Sequence, residues 1–406
     1  MNTTAKTTRV PKIGLILLVF MAFVALGMPD GLLGVAWPSI RATFGQALDA
    51  LTPFMFASTA GYLVSAFFSG KIISKMGVGW VLAASCALTG IGLLCYSVIS
   101  AMWMMVLLGI IGGLGAGTID AGLNTYVASN FQERQMQWLH ACYGVGVTLG
   151  PIIMTAGLNY FQSWRLGYVV VGVAQLLLAG SFVSSIKMWK SQKRADEGET
   201  KKLTDYDTSL RRTLRKPMVW LSFLLFFVYT GCEISLGVWV YSLLTESRGV
   251  APAIAGLMTG SYWISFTIGR ILAGFYAKHM KTRTILFIAM FSALAGSLLL
   301  LLNINNTLSV IGVAIIGFAI APIFPAMVSD TSSRVGDKYA ANTIGIQLAG
   351  AGLGGAVISS TIGILAARLS LEAIPWAMVV NFTLLIGLFI LSLAARKLAP
   401  PAPAKG

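Results

Sequence analysis

Residues 187–217 read KMWKSQKRADEGETKKLTDYDTSLRRTLRKP, and this stretch decides how the chain is organised. Ten of its 31 positions are Lys or Arg and five are Asp or Glu. A charge at the centre of a bilayer costs on the order of 3 kcal/mol on insertion scales, so this segment stays in water. On both sides of it the character inverts. Over all 406 residues 56% are hydrophobic and only 11% are charged, with a mean hydropathy of +0.80. Ordinary soluble domains have about 45–50% apolar and about 25% charged residues. A soluble surface could not be covered by so few charges, and disorder requires low hydrophobicity. An integral membrane protein is the class that remains.

Twelve apolar runs lie between charged or turn-rich breaks, six before the charged segment and six after it. They are spans 1–12: roughly 13–40, 50–72, 79–99, 103–127, 138–158, 166–186, 218–243, 252–276, 284–302, 307–328, 341–366 and 374–395. A spanning helix takes about 20 residues, whereas a barrel strand takes about 9–11 and alternates in polarity. The expected fold is therefore all-α, with twelve transmembrane helices in two six-helix bundles. Residues 1–186 form the first bundle, 187–217 a charged linker, and 218–406 the second bundle with a short tail.

The basic residues orient the chain. Of 29 Lys and Arg, 24 fall on the side that holds the termini and the linker. The other side has only Arg41, Arg165, Arg248 and Arg368, and Arg270 lies inside a span. The positive-inside rule places both termini in the cytoplasm. The net charge of +15 is thus an orientation signal, and nucleic acid is not an expected partner. The expected location is the plasma membrane, as in a bacterial inner membrane. Cys86, Cys95, Cys142 and Cys232 sit in apolar runs without metal-ligand spacing and read as small buried hydrophobes. No P-loop, dinucleotide fingerprint or nucleophile constellation is present, so enzyme chemistry, ATP-driven transport and a cofactor have no support.

The two halves repeat one another. At an offset of 203, Leu33-Gly34-Val35 matches Leu236-Gly237-Val238, Ser39 matches Ser242, and Asp30 falls on Glu233. At 204, Gly70 matches Gly274. Two parallel six-span halves joined by a charged linker resemble the major facilitator superfamily, whose substrate site lies between the halves near mid-bilayer. The short turn after span 2, Gly70-Lys-Ile-Ile-Ser74-Lys75-Met-Gly77, is similar to that family's Gly-x-x-x-Asp-Arg-x-Gly-Arg, with Ser74 in place of the acid. Gly269-Arg270-Ile-Leu-Ala-Gly274 resembles the equivalent in the second half.

Asp30, Asp120 and Glu233 are the three acids well inside spans. An acid at that depth faces a cavity or carries a proton, which is what a proton-coupling site uses. Asp30 follows Pro29, which leaves the Ala25 carbonyl without its usual helical partner. A kink and a carboxylate at one point suit a gating helix. Asp120 and Asn124 are i and i+4 and share a face. Arg270, near the cytoplasmic third of span 8, reads first as a snorkelling or bracing residue. His140 and Gln347 occupy similar places in spans 5 and 11 and read as paired substrate contacts. Tyr62, Tyr143, Tyr262 and Trp263 read as cavity aromatics suited to sugar rings, and Trp37 and Trp239 as membrane-interface residues. Pro322 and Pro325 predict a broken, mobile span 10.

Within the superfamily the residues most resemble the fucose permease branch, which imports sugars with protons. Asp30 followed by Gly-Leu-Leu-Gly-Val-Ala-Trp-Pro38 is similar to that branch's span 1, and Asp120 with Asn124 to its span 4, where the acid is a glutamate. A sugar-contacting glutamine of that branch falls where this chain has His140. The resemblance implies a proton-coupled sugar symporter working by alternating access, and twelve spans are enough for a working monomer. Asp30, Asp120 and Glu233 would be the proton sites, and Asn124, His140, Tyr143, Tyr62, Tyr262, Trp263 and Gln347 would line the substrate site. Pro29, Gly70, Arg270, Pro322 and Pro325 would serve structure and gating. The alternative is a proton antiporter exporting drugs or sugars. Gly146-Val-Thr-Leu-Gly150-Pro151 resembles part of the exporters' span 5 signature, but Met154 and Thr155 replace its last glycines. A non-transporting receptor on the same fold would not need buried acids.

Overall fold

A computed structural model describes residues 13–130, 133–189, 209–277 and 279–398. Most of the linker, Lys278 and both termini lie outside the described residues. Span 1 is a helix over Ile13–Phe44, span 2 over Thr52–Met76, span 3 over Val78–Cys95, span 4 over Met102–Asn130, span 5 over Glu133–Phe161 and span 6 over Trp164–Ser185. Span 7 covers Pro217–Ser242, span 8 Pro252–Tyr276, span 9 Thr282–Leu302, span 11 Asp337–Arg368 and span 12 Ala373–Leu398. Span 10 is two helices, Asn306–Ile320 and Ile323–Ser329. Among the described residues eleven helical segments are long and apolar enough to cross a membrane. The twelfth, Pro252–Tyr276, is as long but carries Thr259, Ser261, Ser265, Thr267 and Arg270. Helices are the expected answer to hydrocarbon, because each backbone group is bonded within its own segment.

The halves pack in the same way. Span 1 lies against 5, 2 against 4 and 3 against 6; six spans later, 7 lies against 11, 8 against 10 and 9 against 12. Small residues allow these approaches. A Cβ built on Gly150 would lie 2.6 Å from the Gly31 backbone, so spans 1 and 5 touch main chain to main chain. Phe67, Leu177 and other large apolar side chains remain exposed on the outside, where lipid is their solvent.

The face that carries Met188 and Leu210, described residues within the linker, is called the linker face below; the opposite one is the far face. Charged residues tie loops together on the far face. Arg165 donates to the carbonyls of Ser97 (2.7 Å) and Ile99 (3.1 Å), satisfying chain just past the end of span 3. Arg248 grips Glu372 through Nε (3.0 Å) and Nη2 (2.8 Å), and also donates to the Ser309 hydroxyl and the Leu300 carbonyl. These bonds hold the Glu372 carboxyl below its ordinary value of 4.5. A carboxyl depressed in the folded state contributes stability above its unfolded pKa, and loses it as pH falls through the lower folded value. Glu372→Gln is therefore expected to cost about 1–2 kcal/mol at pH 7, discounted because Glu372 is partly exposed. The difference from the parent protein should vanish below the folded value. Thermal unfolding in detergent across pH 3–7 checks this, and a constant difference at all pH values would refute it.

Pro29 does not interrupt span 1, which runs through it and through Pro38 as one helix. The freed Ala25 carbonyl has found a donor: Gln175 of span 6 reaches it through Nε2 at 2.7 Å, fully buried. Gln175→Leu removes that donor, and a buried carbonyl left unpaired costs about 1–3 kcal/mol. Because the Gln175 Oε1 is itself without a partner, the expected net loss is about 1 kcal/mol. Equal unfolding temperatures for Gln175→Leu and the parent would show that the carbonyl finds another partner.

Four expectations are corrected. Trp37 and Trp239 do not sit in a membrane-interface belt; both are fully buried, and their indoles donate to the Leu48 carbonyl (3.0 Å) and the Ser359 carbonyl (2.9 Å). Pro325 does not break span 10: the break is at Ala321–Pro322, and Pro325 falls in the first turn of the next helix, where no intrahelical donor is needed. Gly70 has open space around it, so its place requires no glycine. The linker is shorter than 187–217 at its start, since Ile186–Met188 is a 3-10 turn and Trp189 is buried against Tyr126 and Phe182.

Candidate functional site

Span 1 contributes Asp30, which is exposed although it lies within the bundle. Tyr143 of span 5 donates its hydroxyl to Asp30 Oδ2 at 2.7 Å. Both Asp120 and Glu233 act electrostatically on Asp30, so the three membrane acids lie near one another in the space between the halves. Asp120 is held from two sides. Tyr62 of span 2 donates its hydroxyl to Oδ2, and Asn124 donates Nδ2 to Oδ1 at 2.8 Å. That i, i+4 bond is the one the sequence spacing predicts. Glu233 of span 7 lies beside Tyr229, whose hydroxyl donates to the Ile320 carbonyl at 3.2 Å.

The space is sealed on the far face. Arg41 at the end of span 1 pairs with Glu246 just beyond span 7. Deeper in, a Cβ on Gly34 would run into the Gly237 carbonyl and sit 3.1 Å from that of Val238. The repeat partners Gly34 and Gly237 thus meet main chain to main chain. Residues Leu48–Leu51 close against span 11. At mid-depth spans 5 and 8 cross, with the hydroxyls of Thr148 and Thr267 3.4 Å apart. With the far face shut, exposed Asp30 meets water from the linker face.

Not every candidate reaches this space. Tyr262 is fully buried, and its hydroxyl is used on the Glu233 carbonyl at 2.8 Å. Trp263 packs edge-on against Tyr262 and Phe266 and fills the notch left by Gly237. Gln347 is fully buried in a reciprocal pair with Thr331 (3.0 and 3.1 Å). In this conformation those three support the second half rather than line the cavity. His140 is partly buried, with the Phe23 ring edge-on at 5.7 Å, and lies in the field of Arg270. Arg270 stacks over Phe266 at 4.2 Å, and its charge acts on Glu233, Tyr143 and Tyr229. The structure thus places Arg270 over Phe266 and within electrostatic reach of Glu233 and Tyr143, and among the described residues no ion pair ties it to the turn region.

Three groups escaped the sequence reading. Gln175 stands in an apolar run with nothing nearby in sequence to betray its partner. Tyr229, one turn before Glu233, carries an i, i+4 signal that was legible. Arg41 and Glu246 sit 205 positions apart in different halves, and no local pattern pairs them.

The sequence pattern of the Major Facilitator Superfamily matches residues 15–359 and, in a second alignment, residues 221–406. Among curated relatives, the Sodium-dependent glucose transporter 1 of Homo sapiens is 23% identical over 386 residues, covering 85% of this chain and 72% of its own. The Glucose/mannose transporter GlcP of Bacillus subtilis (strain 168) is 23% identical over 358 residues, covering 86% of this chain and 87% of its own. A crystal structure of the nucleoside transporter NupG superposes with a TM-score of 0.76 at 12% identity, covering 94% of this chain and 99% of that one. That structure shares the fold, and the pattern match spans nearly every helix described above. With two six-helix halves around one acid-lined space and a family pattern running through both, this multi-pass membrane protein belongs to the Major Facilitator Superfamily.

Proposed function

We propose that the protein is a secondary transporter that takes up a sugar or similar small polar solute together with protons, by alternating access. The observation that carries the reading is the Asp120 site. A carboxyl deep in the bundle is held by a tyrosine hydroxyl and an amide, and it acts electrostatically on a second carboxyl, Asp30, that touches water. Such groups change protonation with little rearrangement, and the tyrosine and amide partners remain when the charge goes. The glucose transporters among the relatives support a sugar-like solute. One of them is named sodium-dependent, so the coupling ion has to be tested. A hard cation such as Ca²⁺ takes several oxygens in one shell, and Na⁺ is likewise oxygen-ligated. Here Asp30 and Asp120 stand on separate spans, each with its own donor. On this reading the linker face is the cytoplasmic face, as the 24 basic residues on it support, and the working unit is a monomer in the plasma membrane.

The test uses proteoliposomes loaded with a pH-sensitive dye in sodium-free buffer, to which sugars are added one at a time. Internal acidification by one sugar is the expected result. Uptake that requires sodium would replace the proton by sodium. Alkalinisation of an acid-loaded lumen would turn the reading to export by antiport.

A further inference from the structure

The acids of the cavity and its one described cation differ in how well they are satisfied. Asp30 has the Tyr143 hydroxyl, and Asp120 has Tyr62 and Asn124. Glu233 has Tyr229 beside it. Arg270 has none of this. Its Nε is enclosed without any partner, and its terminal nitrogens are neither hydrogen-bonded nor enclosed. No ion pair joins it to Glu233 or to any other described acid. What fixes it is the Phe266 ring beneath the guanidinium at 4.2 Å, which leaves the edge of the plane free.

A guanidinium has five donors in a rigid fork and no acceptor. That fork matches a carboxylate bidentately. The enclosed Nε lacks an acceptor and the outer edge of the fork is open, so the free capacity here is for an anionic acceptor. Its other free capacity is for hydroxyls: Asp30 and Asp120 each retain acceptor positions beyond the bonds described, and Asn124 retains its carbonyl oxygen. Together these describe a polyol that carries one acidic group.

We propose that the substrate is a sugar acid, whose carboxylate is received by Arg270 while its hydroxyls meet Asp30, Asp120 and Asn124. This deepens the sugar-transport reading above and rests on it. A phosphate would also fit the fork. It would bring up to two negative charges beside three acids, and for that reason the carboxylate is the better match.

The experiment compares glucose, glucuronate, glucuronate methyl ester and glucose 6-phosphate on the purified full-length protein. Binding is read by ligand-induced thermal stabilisation, and transport by counterflow in proteoliposomes. The methyl ester keeps the shape of the acid and removes its charge, so the wild-type protein alone provides a test. Glucuronate should bind roughly 30-fold more tightly than its ester, the size of one charge-assisted contact. Arg270→Gln should collapse that ratio towards one, and Arg270→Lys should restore part of it; size-exclusion profiles confirm that each variant is folded. Equal binding of acid and ester, with glucose transported, would overturn the inference and leave the sugar reading standing. Preference for glucose 6-phosphate would replace the carboxylate by a phosphate and overturn it likewise. Absence of binding by all four, with no other sugar in the dye assay active, would remove the sugar reading and this inference with it.

Discussion

Asp120→Asn is expected to abolish accumulation of substrate against its gradient, lowering net concentrative uptake at least ~10-fold, while exchange across the membrane continues. The reason lies in the geometry. Asn124 donates to Oδ1 and Tyr62 to Oδ2 of Asp120, and an asparagine at 120 keeps the shape of the site but cannot gain or lose a proton. A step of one tenfold in rate is about 1.4 kcal/mol, well within what a lost coupling site removes. The measurement is a pair of assays on one preparation, pH-gradient-driven uptake and counterflow of labelled substrate. Full accumulation by the variant would remove Asp120 from coupling and pass the role to Asp30. Tyr62→Phe is the milder companion. It deletes one donor and should alter the pH dependence of uptake more than its maximum.

The second large effect is expected at the far-face seam. Gly34→Leu places a branched side chain where even a Cβ would strike the Gly237 carbonyl and crowd that of Val238. Backbone cannot yield there as a flexible side chain would, so the far face should fail to close. The expected variant binds substrate added from that side and shows net transport reduced at least ~10-fold, with the order of magnitude set by a cost of about 1.4 kcal/mol or more. Gly34→Ala should show the same defect to a lesser degree. Binding and transport lost together, with a lower unfolding temperature, would instead make Gly34 a packing residue only. The Arg41–Glu246 pair at the rim is partly exposed, and such pairs contribute about 0–1 kcal/mol. The glycine contact rather than the ion pair is thus the main determinant of closure.

The legible and illegible parts of this protein divide along a physical line. Twelve spans, their helical nature and the break in span 10 follow from local composition, because hydrocarbon imposes length and apolarity segment by segment. The internal repeat needed only an offset comparison, and the recurrence of the 1–5, 2–4 and 3–6 pairings as 7–11, 8–10 and 9–12 has the same origin. Asp120 with Asn124 was readable because a helix fixes the i, i+4 relation. Tyr143 on Asp30 was not readable as a bond. It joins spans 1 and 5 over 113 positions, and the close approaches of Gly27 and Gly31 to span 5 bring them together.

The misplaced residues teach the same lesson. Trp37, Trp239, Tyr262 and Gln347 carry a polar atom on a large body, and such side chains suit a cavity, an interface or a packed core equally. Their neighbours in sequence do not choose among these. The choice is made by where a single acceptor stands: the Leu48, Ser359 and Glu233 carbonyls, and the Thr331 hydroxyl. By itself the sequence determined that this chain lives in a membrane, how many times it crosses, and which three acids lie at depth, since each of these is a cost incurred by one residue in one solvent. Only the tertiary structure decided which of those acids has a partner, that the far face is shut, and that Arg270 stands unpaired among them, because pairing depends on distances between helices that no local pattern encodes.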